Sequence, residues 1–373
     1  MKKLRILHIT ESNGFSGGVN QSYQLAKGLS AMGHINYFAA PENGILYQMV
    51  KKENFNVFNF KPNGSLDIKT IKNLKKLFEE YKFDVVHTHH SRAHHYSFIA
   101  KKISDYKPVI IASRRVIHPI PKNIFAEIRY KSKDIDAYIA VCEYVKKILT
   151  DYGIDEKKVF VIYSGVDTKR FRPQDVDFEF KKSLRLNNND FVISHIGNFS
   201  DEKGQIYTVK AAKILADKGY RFKLLFAGMR TDSEDIKKLF KDNQLSLDYG
   251  VFLGLRMDVE NILNITDISV NSSIRGEVLS GSIRESLASG VPVVASDIGG
   301  NSEIVKDGYN GFLFKPSKYE DLAQKIEIFV KNHNLRKEFS QNAIKTIEDK
   351  FTIDRMVDDT LRLYYKLGFT EKL

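Results

Sequence analysis

Short apolar runs of strand character alternate with amphipathic helical stretches along all 373 residues, and the alternation breaks only once. The first series puts strands at 5–10, 36–40, 57–60, 84–87, 109–113 and 137–141, with helical patterns at 19–32 and 66–81 between them. A second series opens at 191–196 and continues with strands at 223–227, 251–253, 268–271 and 292–295, each followed by a helical pattern. Strands alternating with helices build βαβ units, and such units assemble into parallel sheets covered on both faces. The break, SGVDTKRFRP at 164–173, carries turn residues and mixed charge without apolar periodicity, as an interdomain linker does. The expected fold is therefore α/β, with two doubly wound domains at 1–172 and 173–351. The tail 352–373 begins with helical periodicity beyond the natural end of the second domain, so it is expected to pack back on the first.

A hydrophobic fraction of 42% beside 28% charged residues excludes a disordered or collagen-like chain, and the length lets each domain bury its own core. The single cysteine, Cys142, cannot form an internal disulfide, so nothing points to an oxidising compartment and the cytoplasm is the expected location. The opening MKKLRILHIT has an apolar run of only five or six residues, too short for a signal-peptide core. No run approaches the roughly 20 residues needed to span a bilayer, so any membrane contact should be peripheral. The net charge of +12 is uneven: residues 1–172 hold 29 Lys and Arg against 16 Asp and Glu, or +13, and the remainder 29 against 30, or −1. Such a field favours an anionic partner without choosing between nucleic acid, anionic lipid and a phosphorylated substrate.

Ligands of doubly wound sheets bind beyond the carboxyl ends of the strands, so the segments just after each strand carry the chemistry. After the first strand, Gly17 and Gly18 precede a helix; they leave its amides open to an anion, or simply form a tight turn. HTHHSRAHHYS holds His87, His89, His90, His94 and His95, half of all the histidines. His87 and His89 share a strand face, but no carboxylate or thiolate completes a metal site, so no metal is expected. The reading preferred is one histidine, His89, facing a cleft as a polar or proton-handling group, with the others exposed on the next helix. SRRVIHPIPKN brings Arg114, Arg115, His118 and Lys122 near a strand end, where they meet an acidic group or form a solvated cluster.

In the second half, Lys203 opens a helix within IGNFSDEKG, as a diphosphate partner or an ordinary surface lysine. The sharpest constellation is EVLSGSIRE, where Glu277 and Glu285 flank Ser280, Gly281 and Ser282 at a helix start. Helix amides bind phosphate and carboxylates accept hydrogen bonds from sugar hydroxyls, so these parts make a cradle for a nucleotide sugar. Alternatively, Ser282 to Glu285 is an S-x-x-E capping box and Glu277 an exposed loop acid.

Together, SGGV after the first strand, DVVHTH, VIYSGVDTKRF, IGNFSDEKG, VFLGLRMDV, the E-x7-E pair Glu277/Glu285 and SGVPVVASDIGGNSEIVKDGYNGFLF resemble retaining glycosyltransferases of family 4 over nearly the whole chain. The resemblance implies the GT-B fold, two Rossmann-like domains facing a central cleft, and metal-independent transfer of a sugar from a nucleoside diphosphate donor, most commonly UDP-linked. It implies that Glu285 holds ribose hydroxyls, Glu277 the donor sugar and Lys203 the diphosphate. Ser280, Gly281 and Ser282 would offer amides to the phosphates, Arg256 and Met257 would line the base, and Gly17 and Gly18 would border the donor. Asn198 stands at the donor site where the family usually has arginine, with Arg256, Arg230 or Arg284 as replacements. Arg115 or His118 would face the reacting centre, with His89, Arg114, Arg115 and Lys122 toward an anionic glycan or glycolipid acceptor.

The expected role is thus lipopolysaccharide, capsule or related glycan synthesis, at or near the cytoplasmic face of the inner membrane. A GT-B nucleotide-sugar epimerase or a sugar phosphorylase is the alternative within the fold. Nucleic-acid binding is not expected, because the basic residues follow no RNA- or DNA-binding motif.

Overall fold

The computed structural model describes residues 2–14, 16–64 and 66–369. It divides into two compact units, Met1–Gly165 with Ile353–Leu373, and Val166–Thr352. The first holds a parallel sheet of β1 (Arg5–Ile9), β2 (Ile35–Ala40), β3 (Asn56–Asn59), β4 (Val85–Thr88), β5 (Val109–Arg114), β6 (Ala137–Ala140) and β7 (Val159–Val161), in the order β3-β2-β1-β4-β5-β6-β7. The second holds β8 (Val192–Ile196), β9 (Lys223–Ala227), β10 (Gly250–Phe252), β11 (Ile268–Asn271), β12 (Val293–Ser296) and β13 (Gly311–Phe314), also parallel, in the order β10-β9-β8-β11-β12-β13. Strand order reverses between β1 and β4 and again between β8 and β11, and the crevice outside such a switch point is where a doubly wound sheet binds its ligand.

Two strands escape the sequence pattern. Residues 159–161 are only three long, and 311–314 follow the turn DGYNG, whose Asn310 side chain accepts from Lys306 N at 2.8 Å and reads as loop. The boundary also falls earlier than residue 172. Val166 donates its amide to the Phe351 carbonyl at 2.8 Å and bridges Thr352, so the 164–173 stretch is built mostly into the second unit rather than left as a linker.

The helix Ile353–Tyr364 packs on the first unit, where Met356, Val357, Leu361 and Tyr364 share a core with Leu4, Ile6, Leu25, Leu29, Val85 and Ile111. It lies so close to the helix Gly17–Ala31 that a Cβ on Gly28 would come within 2.5 Å of Val357, a contact only glycine admits. Among the described residues, no helix is long and apolar enough to cross a membrane.

Candidate functional site

In the second unit, the loops at the carboxyl ends of β8 and β11 converge. Glu277, on the loop after β11, is 5% exposed, and its Oε1 accepts from Lys203 Nζ at 2.6 Å, Ser273 Oγ at 2.6 Å and Asn271 Nδ2 at 3.4 Å. Burial works to raise this carboxyl, but the charge and hydrogen bond of Lys203, with those of Ser273 and Asn271, outweigh it and hold the group below the ordinary glutamate value. Lys203 comes from the turn after β8, and the Ile274 amide donates to the Glu202 carbonyl at 2.9 Å, which ties the two loops together. From the other side Gly299, at φ +54°, packs against Glu277; a Cβ there would lie 1.8 Å from the Glu277 carbonyl oxygen.

The helix Gly281–Ala288 starts four residues after Glu277, with Ser280 as its N-cap and no side-chain oxygen on its first amides. Ser282 therefore lies inside the helix, and the capping-box reading of Glu285 falls: Glu285 is one turn in and not paired with an N-cap serine. It is partly buried, and desolvation pushes its carboxyl up to about 7 against the opposing field of Arg284. Arg284 is 7% exposed, donates to the Leu279 carbonyl at 3.1 Å and interacts electrostatically with both Glu285 and Glu277. Burial draws its guanidinium down to about 10.

The other candidate cations are held elsewhere. Arg256 makes a bidentate pair with Asp258 at 2.8 and 2.6 Å, and Arg230 pairs with Asp235 at 2.6 Å. The Asn198 side chain is exposed and accepts from the Met229 amide at 3.0 Å. Of these three arginines, Arg284 is the one that interacts electrostatically with both glutamates. The Met257 side chain is 77% exposed, while its carbonyl accepts from Arg170, which also grips Glu260 at 2.6 Å.

In the first unit the switch point between β1 and β4 carries a buried histidine layer. Register sets His8 beside His87, and alternation stacks His87 on His89 with ring centroids 4.3 Å apart. The Asn36 amide nitrogen donates to Ser30 Oγ and to the His34 carbonyl, so its oxygen faces His8 Nε2 at 3.0 Å and takes that proton. Burial lowers His8 to about 4, so the ring is neutral and its Nδ1 is a bare acceptor. His89 Nε2 must then carry the proton of their 3.1 Å bond. Burial, with the neighbouring positive groups, also keeps His89 neutral, which leaves its Nδ1 a buried lone pair without a partner among the described residues.

His89 lines a hollow of about 360 Å³ together with Gly18, Ser113, Arg114 and Arg115. Ring nitrogens of His8, His87 and His89 all lie within 4.8 Å of one another, a spacing a metal could use. Five of their six ring nitrogens, however, already hold protein partners, the His87 pair being Tyr364 OH at 2.6 Å and Ser113 Oγ at 2.7 Å.

The sequence pattern of Glycosyl transferases group 1 matches residues 176–346, and that of Glycosyltransferase Family 4 matches residues 15–170. This chain belongs to the group 1, family 4 glycosyltransferases. The glycosyltransferase is 27% identical over 308 residues to the UDP-Gal:alpha-D-GlcNAc-diphosphoundecaprenol alpha-1,3-galactosyltransferase of Escherichia coli, covering 80% of this chain and 79% of that one. It superposes on a glycosyltransferase from Rickettsia africae with a TM-score of 0.90 at 26% identity, over all of both chains. The Anabaena protein HepE, crystallised with UDP, matches with a TM-score of 0.87 at 20% identity, over 97% of this chain and all of that one. These likenesses make the fold GT-B.

Within the glycosyltransferase, Lys203, Glu277, Ser280, Gly281, Ser282 and Glu285 come together, whereas Asn198, Arg256 and Met257 sit on neighbouring loops. Gly17 and Gly18 open their helix, and Gly18 abuts Arg115, whose Nη1 donates to Ser164 Oγ at 2.8 Å. Arg114 is buried and spends its guanidinium on Tyr130 OH at 3.2 Å and on the His118 carbonyl, so it holds the loop in shape. The His118 side chain is exposed and lies outside the His89 hollow. Lys122 lines a separate hollow with Glu127 and Asp151.

The histidines after β4 also depart from expectation, because His94 is buried against Tyr130 and Tyr138 rather than exposed. Sequence reasoning missed His8 and Tyr364, since both reach the layer from distant segments. The only signal was a lone histidine between the apolar Leu7 and Ile9 of the first strand.

Proposed function

We propose that the enzyme transfers a hexosyl group from a UDP-sugar to a hydroxyl of an anionic glycan or glycolipid, with retention of anomeric configuration and without a required metal. The observation that carries this reading is the group at the end of β11: Glu277 and Glu285 flank the start of the helix Gly281–Ala288, with Lys203 on Glu277. In it Glu285 accepts hydrogen bonds from the ribose hydroxyls and Glu277 from those of the donor sugar. Lys203 and the first helix amides face the diphosphate, while Arg284 balances the two carboxylates.

As the glycosidic bond breaks, negative charge grows on the leaving diphosphate, and fixed cations and amides stabilise it without having to reorganise. Those groups supply the electrostatic work for which a metal would otherwise be needed. The acceptor hydroxyl attacks from the face that the diphosphate leaves; a diphosphate oxygen takes its proton, and configuration is retained. On the acceptor side the bare Nδ1 of His89 takes a hydrogen bond from a hydroxyl, and Arg115 meets an acidic group.

UDP is favoured because the E. coli relative is named for UDP-Gal and the Anabaena protein was crystallised with UDP. The same relative's name gives a lipid diphosphate acceptor, which suits the +13 of residues 1–172. We therefore assign the enzyme to lipopolysaccharide, capsule or related glycan assembly at the cytoplasmic face of a membrane.

Calorimetry with UDP, GDP, ADP and CMP tests the donor half of this reading, on the wild type beside Glu285→Ala. Selective UDP binding weakened by the substitution is expected, and binding of no nucleotide refutes the reading. Transfer that survives EDTA, with an α-linked product from an α-linked donor by NMR, tests metal independence and retention.

A further inference from the structure

The helix Ser91–Ile103 has two working faces. It turns Ser91 and His94 toward the histidine hollow, while Arg92, His95, Ile99 and Lys102, three or four residues apart, line a separate groove of about 600 Å³. The opposite wall is the short helix Ile124–Tyr130, where Phe125 is 76% and Ile128 49% exposed; Leu66, 68% exposed, joins them from a loop. Of the fourteen residues lining this groove, three are the cations Arg92, Lys102 and Arg129, and none is a carboxylate. Of the acids nearby, Glu127 pairs with Lys131 at 2.9 Å, Glu11 accepts from the Arg92 amide at 3.0 Å, and Asp134 reaches the groove cation Lys102 at 3.9 Å.

Large apolar groups left in solvent in a groove lined by cations and by no carboxylate are the composition of a surface that meets a lipid headgroup layer. The surrounding segment is basic as a whole, and Phe125 stands three-quarters clear of its own protein, which suits insertion below headgroups.

We propose that this groove face docks the enzyme on an anionic phospholipid bilayer, with Leu66, Phe125 and Ile128 below the headgroups and Arg92, Lys102 and Arg129 on lipid phosphates. The proposal rests on the glycolipid-acceptor reading above and names the surface that serves it. One helix then touches the bilayer with one face and the His89 hollow with the other, so the head of an acceptor anchored in the same leaflet has a direct route to the hollow.

The chain contains no tryptophan, so Phe125→Trp gives a fluorescence reporter free of background. Mixed with phosphatidylcholine vesicles containing phosphatidylglycerol, its emission should shift to the blue and be quenched by acyl-brominated lipid; phosphatidylcholine alone should bind at least about tenfold more weakly. Each Lys or Arg at an anionic surface is worth about fivefold in partition, so the triple variant Arg92→Gln, Lys102→Gln, Arg129→Gln should lose about a hundredfold by sedimentation with the same vesicles. Phe125→Ser with Ile128→Ser should lose partition while keeping wild-type UDP affinity and a wild-type urea melt of the first unit, which certifies that the variant folds.

Unchanged emission on vesicles that the protein sediments with, wild-type partition by the double serine variant, or equal binding to both vesicle types would each overturn the proposal. So would no partition at all. Absence of UDP binding in the wild type strikes the donor reading instead and leaves the vesicle results standing on their own.

Discussion

Glu285 makes nucleotide binding depend on pH in a direction that can be worked out beforehand. Its carboxyl sits at about 7 in the unliganded protein, and only the ionised form accepts two hydroxyl hydrogen bonds. The ionised fraction is about one-tenth at pH 6 and about nine-tenths at pH 8, so UDP affinity should rise about tenfold across that interval. The terminal phosphate of UDP titrates near 6 and adds a slope of its own. Glu285→Gln isolates the protein's share: it should retain only the phosphate slope and bind about 10- to 100-fold more weakly at pH 8, through loss of charge-assisted hydrogen bonds.

Stability runs the other way. A carboxyl raised from 4.5 to about 7 by folding adds stability below pH 4.5, and that contribution is lost as pH rises through 7. Unliganded Glu285→Gln should therefore gain on the wild type by about 1–3 kcal/mol at pH 8, once the shift is discounted for partial exposure, and lose that advantage at pH 4.5. Calorimetry at pH 6, 7 and 8, paired with urea melts, reads both effects. Equal slopes for wild type and variant would refute the argument, because Glu285 would then not be the titrating group.

Three further outcomes follow from contacts already described. Lys203→Ala leaves the buried Glu277 charge without its cation, so stability should fall by about 3 kcal/mol and UDP affinity with it, while Lys203→Arg should restore much of both; urea melts and calorimetry check this. Gly299→Ala must carry a positive φ and a clash with the Glu277 carbonyl; the backbone conformation alone should cost about 1–3 kcal/mol, and transfer should drop more than nucleotide affinity. Tyr364→Phe deprives buried His87 Nδ1 of its partner and should destabilise by about 1–3 kcal/mol in urea melts without changing UDP affinity.

The βα rhythm and the loops worth inspecting were legible because both are local: a strand, its turn and its helix lie next to each other in sequence. Lys203 and Glu277 were readable one by one, yet the 2.6 Å contact between them, across 74 positions, follows only once β8 and β11 are neighbours. The capping-box alternative for Ser282 and Glu285 fails for a smaller reason, since a helix beginning at Gly281 rather than after Ser282 turns a capping residue into an interior one. Arg114 and Lys122 looked alike as basic residues near a strand end. Depth separates them, because a buried guanidinium must satisfy its donors within the protein and a surface lysine need not. The histidine layer was half visible, with His87 and His89 on one strand, but His8 lies on another and Tyr364 arrives 277 residues after His87.

The return of the helix Ile353–Tyr364 to the first unit has a consequence for how the chain is made. The second unit is an insertion whose entry and exit segments meet at Val166 and Thr352, so all of it is made before the first has the last part of its core. The usual amino-terminal-first order of domain folding is then reversed in its last step. Leu4, Ile6, Leu25 and Leu29 wait for Met356, Val357 and Leu361 to emerge. A chain truncated after Thr352 would carry a whole second unit beside an unsealed, chaperone-prone first one.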